Sequence, residues 1–188
     1  MLSRGNKLRA ITLALGVTLA LAGCQDGNDG PPSTSTTSGT APSLAADVPH
    51  GFDPCTGIPA DVLASENLKA TGRDDTGKGG VMWRGCGWVV RGGNGYSVAI
   101  TTSNITLDSV RAKHFTDTQE FTSAGRRATS SREDLGDSSC VVNVEMKGGS
   151  LDLLVDNPKS APDTGQMDAC QIARTLADKV APAIPAGA

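Results

Sequence analysis

Five cysteines restrict this chain more than any other feature: Cys24, Cys55, Cys86, Cys140 and Cys170. An odd number cannot all pair within one chain, so one cysteine needs another fate. Cys24 is the candidate, because it ends a distinctive N-terminal stretch. Arg4, Lys7 and Arg9 open the chain with no acidic residue among them, and an uncharged run from Ala10 to Ala22 follows. As a helix that run spans roughly 20 Å, short of the about 20 residues a bilayer core requires. A basic start, a short apolar core and a small-residue exit describe a secretory signal.

The exit, Leu21-Ala22-Gly23-Cys24, resembles the bacterial lipobox, in which the cysteine thiol is lipidated and the preceding residues are removed. The resemblance implies a signal peptide over residues 1–23, at least a diacylglyceryl group on Cys24, and stable attachment, since two or more acyl chains hold where one holds marginally. The protein is therefore expected on the extracytoplasmic face of the cell membrane, lipid-anchored and carrying palmitate or a similar acyl chain.

Removal of residues 1–23 takes three of the 17 basic residues and none of the 20 acidic ones, leaving 14 against 20 and a formal charge of −6. A mildly acidic chain without a Lys/Arg stripe argues against nucleic acid and against electrostatic membrane binding. Residues 24–49 read as the lipidated cysteine and a flexible tether, with the Pro31–Thr40 stretch too polar and small to offset its ordering entropy. About 25 such residues would reach roughly 25–30 Å. The Ser/Thr cluster also has the composition of an O-glycan acceptor. One domain is expected over residues 50–185, with a short tail at 186–188.

Within the domain, Ile58–Leu63 reads as a short helix with Pro59 in its first turn. Residues 72–80, charged and Gly-rich, read as a loop. Cys86, Trp88 and Val90 alternate as a strand and turn at Gly92–Gly95 into a second strand through Tyr96, Val98 and Ile100. Leu107–Phe115 suits a second helix capped by Thr106 or Asn104. A more polar hairpin turns at Gly125. Cys140, Val142, Val144 and Met146 alternate strictly, and after Lys147–Ser150 the pattern resumes with Leu151, Leu153 and Val155. From Met167 to Val180, Cys170, Ala173, Leu176, Ala177 and Val180 form one helical stripe, ended by Pro182. The expected fold class is α+β: a twisted antiparallel sheet packed with about three helices.

Four cysteines in an exported chain imply two disulfides, and the spacing contains no CxxC, so a zinc site is not expected. Three connectivities exist. Cys55–Cys86 would fasten the opening helix to the Trp88 strand, and Cys140–Cys170 would fasten the last helix to its preceding hairpin. That pairing is favoured because both links are local. Each bridge contributes about 3 kcal/mol, which matters in a chain with two Trp, one Tyr and three Phe.

The ordered series Pro54-Cys55, Ile58-Pro59, Val62-Leu63, Cys86-Gly87-Trp88, Gly125-Arg126-Arg127-Ala128, Cys140-Val141-Val142-Asn143-Val144 and Asp168-Ala169-Cys170, with Ala173 and Leu176-Ala177, resembles the DUF3558 family of actinobacterial lipoproteins over roughly residues 50–185. The resemblance implies an envelope lipoprotein and no defined catalytic residue.

The residues themselves offer little chemistry. The histidines are His50, at the tether's end, and His114, in the second helix. A hydrolase would rest on His114 as general base, but no HExxH, EF-hand spacing or GxSxG elbow accompanies it. Gly77–Gly80 lacks the spacing of a phosphate loop. Asp74-Asp75 and Glu133-Asp134 read as solvated loops, Trp88 as core beside a disulfide rather than a groove wall, and Arg126-Arg127 as a solvated strand face rather than an anion contact. No catalytic residue, metal or cofactor is expected. The leading expectation is a non-catalytic module binding an envelope protein or glycan. The alternative is a carrier of a lipid or other apolar ligand, in a cavity lined by Val98, Ile100, Leu151 and Leu153.

Overall fold

A computed structural model of the protein describes residues 44–132 and 136–188. The signal segment, Cys24, residues 25–43 of the expected tether and the Glu133-Asp134 pair lie outside the described residues. The elements run α1 (Pro54–Gly57), α2 (Ala60–Ser65), β1 (Leu68–Arg73), β2 (Thr76–Lys78), β3 (Val81–Val90), β4 (Ser97–Ser103), α3 (Leu107–Ala112), β5 (Gln119–Ser123), β6 (Arg126–Ser131), β7 (Ser139–Met146), β8 (Gly149–Asp156) and α4 (Ala169–Val180), with a short 3-10 turn at Ala181–Ala183. Among the described residues no helix is long and apolar enough to cross a membrane.

One antiparallel sheet holds all eight strands in the order β1-β3-β4-β8-β7-β6-β5, and β2 shares with β1 the outer edge of β3. The α+β expectation holds, with four helices among the described residues where about three were expected. Hairpins β3–β4, β5–β6 and β7–β8 lie where the alternation places them. Ala124 and Gly125 both have positive φ (49° and 79°), as a two-residue turn between twisted strands requires.

Alternation gives the sheet two different faces. Cys140, Val142, Val144, Leu151, Leu153 and Val155 all turn to one side and are completely buried. There they meet Ile172, Ala173, Leu176, Ala177 and Val180 of α4, together with Trp88, Val98 and Ile100. Fully burying each large aliphatic side chain contributes about 1.5–3 kcal/mol. Asp168 caps α4 through the backbone N–H of Gln171. Both disulfides pair as expected: Cys55–Cys86 ties α1 to β3 and Cys140–Cys170 ties β7 to α4, with Cα separations of 5.2 and 5.0 Å. The second face is covered in part by α3, whose Val110 joins Val81 and Ile105 in a smaller cluster with Leu44, Trp83 and Phe115.

Four expectations change. Residues 72–80 are largely strand rather than loop. The side chains of β2 and most of β1 are exposed, so nothing apolar marks them, and backbone pairing with the long β3 makes them strands. The helix expected at Ile58–Leu63 is α2, which starts only at Ala60, and a separate short α1 precedes it; Pro59 disfavours the helical conformation at the residue before it, and Ile58 is extended. His114 is exposed and lies beyond α3, in the left-handed conformation (φ 51°) that commonly stops a helix. Residues 44–49, expected in the tether, pack against the domain. Asn104 donates to the carbonyls of Ala45 and Gly80 at 2.9 and 3.0 Å and accepts from the Met82 N–H, and Val48 is buried beside them. Thr106, not Asn104, caps α3.

Candidate functional site

The strand register places a row of small and polar residues across the second face of the sheet. Gly85 stands opposite Thr101, Thr101 opposite Asp152, Asp152 opposite Asn143, and Asn143 opposite Thr129. Bulkier residues stand on either side of this row. Trp83, Ile105, Val141 and Leu154 form the walls, while Asp74 and Thr76 come from the β1–β2 edge. Small side chains between large ones leave a hollow, a pocket of about 240 Å³ floored by Thr101, Asn143 and Asp152. Leu154 remains 38% exposed at its rim.

Asp152 governs the electrostatics. Its side chain accepts from Asn143 Nδ2 at 2.8 Å and Ser150 Oγ at 2.5 Å through Oδ1, and from Trp83 Nε1 at 3.1 Å through Oδ2. Burial pushes its carboxyl above the ordinary aspartate range, against the opposing pull of Ser150, Ser103, Asn143 and Trp83. All of these partners are neutral. Ser150 Oγ also lies 2.8 Å from the Ile105 carbonyl, and its single hydrogen cannot serve both acceptors. A proton on Asp152 would resolve this, with the carboxyl donating to Ser150 and Ser150 donating to Ile105. Asn143 Oδ1 and the hydroxyls of Thr129 and Ser131, all buried on this face, have no hydrogen-bond partner among the described residues. Unpaired buried polar atoms are costly.

The other residues raised by the sequence lie elsewhere. His50 bonds Asp47 at the surface. Trp88 is core, at 3% exposure. Arg126 donates to the carbonyls of Glu145, Ile184, Pro185 and Ala188, and Arg127 pairs with Glu145, so both guanidinium groups have internal partners. Asp75 likewise pairs with Arg73 and accepts from the Gly85 N–H. Larger open depressions of about 490 and 560 Å³ flank the start of α4. At their centre Arg132 forms ion pairs with both Asp117 and Asp168. Val98, Ile100, Leu151 and Leu153 are packed in the core. Among the described residues, no three His, Cys, Asp or Glu side chains gather as a metal site.

Periodicity alone places Asn143 and Asp152 on the outward side of their strands, where polar residues are ordinary. Only the pairing of four strands brings them together with Trp83 and Thr101. No curated protein and no solved structure matches the chain. A family model described as a protein of unknown function, DUF3558, matches residues 19–183. That span is most of the chain, including all four paired cysteines and the pocket, and the protein belongs to the DUF3558 family.

Proposed function

We propose that this protein is a non-catalytic, lipid-anchored module that holds an envelope component in the pocket above Asp152. The observation that carries the reading is this pocket, with a buried carboxyl at its floor and an apolar rim. Pockets that enclose drug-sized ligands measure about 300–1,000 Å³, so this one suits a single small group projecting from a larger partner. The extracytoplasmic setting rests on the lipobox-like Leu21–Cys24 segment. The carrier reading has less support, since the residues that would line its cavity are packed against α4.

Two measurements test the proposal. Cells fed a labelled fatty acid should label the wild-type protein and not Cys24→Ser, which should move into the medium. A photocrosslinking residue at Leu154, on the pocket rim, should capture a defined envelope component in intact cells. The same residue at Asp61, on α2, should not. Equal capture at both positions, or none at Leu154, overturns the binding role.

A further inference from the structure

The donor and acceptor balance of the pocket selects the chemistry of what it holds. Two carboxyls, Asp74 and Asp152, line it, and no Lys, Arg or His does. With Asp152 holding its proton, Asp74 is the charged group of the lining, and a carboxylate or phosphate ligand would meet it without a counter-charge. The strong donors at the floor, Trp83 Nε1 and Asn143 Nδ2, are both taken by Asp152. What remains is acceptor capacity. Asp152 Oδ2 receives one bond where it can take two, whereas Asn143 Oδ1, also without a partner among the described residues, is sealed from solvent. A sugar hydroxyl brings an acceptor with every donor and would leave that acceptor unmet here. An ammonium group brings three donors and no acceptor.

We propose that the pocket takes a primary ammonium group on a short apolar stem. The ammonium nitrogen donates to Asp152 Oδ2, with Asp74 at the mouth, and the stem lies along Val141 and Leu154. This rests on the binding role proposed above and specifies its ligand. That chemistry is the end of a lysine-like side chain of a protein or peptide. Binding also moves a proton. The cation favours the ionised carboxylate, so Asp152 gives its proton to solvent and Ser150 turns its hydrogen from Ile105 to Asp152.

The test uses the full chain purified in detergent, with the Trp83 indole N–H resonance as reporter and n-butylammonium as first probe. A saturable shift is expected with n-butylammonium and none with 1-butanol, butyrate or tetramethylammonium at equal concentration. Asp152→Asn should weaken binding by at least about tenfold, as loss of a charge-assisted hydrogen bond does. Asp74→Asn, at the more exposed mouth, should weaken it by about threefold and keeps the fold in view if the buried substitution does not. Titration of the wild type in buffers of different ionisation enthalpy should register proton release. Nα-acetyl-lysine methylamide should then bind, and glucosamine, whose ammonium stands on a hydroxylated ring, should not. Equal response to 1-butanol, no proton release, or unchanged affinity in the folded variants overturns the inference. Specific capture at Leu154 in cells alongside a failed amine titration would reject the ammonium and leave the binding role standing.

Discussion

Asp152 is the residue whose environment departs furthest from what its position in a strand suggests. Its carboxyl is buried among neutral donors, and burial raises its affinity for a proton. The folded protein therefore holds this proton more tightly than the unfolded chain, whose aspartates titrate near about 3.9. Stability attributable to Asp152 is complete below that value and declines as pH rises toward the folded pKa. Asp75, Glu120 and Glu145 shift the other way, chiefly through hydrogen bonds from Arg73, Arg111 and Arg127. They lose their contribution as pH falls, in wild type and variant alike. The difference between Asp152→Asn and wild type should therefore become less unfavourable to the variant with rising pH. Urea denaturation at several pH values measures it, and two parallel profiles would refute the assignment. None of this was legible in Leu151-Asp152-Leu153, because an acid between two core residues is the ordinary signature of a strand with one wet face.

At the scale of elements, α4 and the β3–β4 pair are the most exposed to single changes. Asp168 accepts from the Gln171 N–H and from Arg132. Arg174 ties the same helix to Ser130 and Gln119, with its guanidinium 5.2 Å from the Phe121 ring centre. Loss of the cap in Asp168→Ala should cost about 1 kcal/mol and speed amide exchange in the first turn of α4 more than in its middle. Uniform exchange along the helix would show that the cap does not hold this end. Gly85 tests the sheet beneath the pocket. A Cβ there would stand 2.2 Å from the Ile100 carbonyl oxygen and 2.7 Å from the Thr101 Cα, both backbone atoms that cannot swing aside. Gly85→Ala should cost about 1–3 kcal/mol and displace the Thr101 side of the pocket floor. A crystal structure of the variant with β4 unmoved would contradict that coupling.

For the whole molecule, the two disulfides restrain opposite ends of one domain. Cys55–Cys86 closes a separation of 31 residues at the start, and Cys140–Cys170 closes 30 at the end. Each contributes about 3–4 kcal/mol by limiting the unfolded chain. The double substitution Cys140→Ser, Cys170→Ser should lower unfolding free energy by that amount under non-reducing conditions. A loss below about 1 kcal/mol would mean that α4 is held by its apolar stripe alone. Domain extent belongs to this scale as well. Residues 44–49 join the fold because Asn104, the residue just after β4, offers hydrogen bonds to the Ala45 and Gly80 carbonyls.

Local patterning was sufficient for much of the architecture. The α4 stripe, the β3–β4 and β7–β8 hairpins and the disulfide pairing follow from periods of 3.6 and 2 and from contacts between neighbouring elements. Such signals live within single elements and their neighbours in sequence and survive without knowledge of the rest of the chain. The tertiary structure decided what depends on distant partners. It set β4 beside β8, made strands of the exposed β1 and β2, and drew residues 44–49 onto the domain. It also built the pocket, whose floor spans Thr101, Asp152 and Asn143 on three adjacent strands. Each of those residues alone reads as a solvated strand position. Strand order and register, which no local period encodes, bury them together and give them a chemistry.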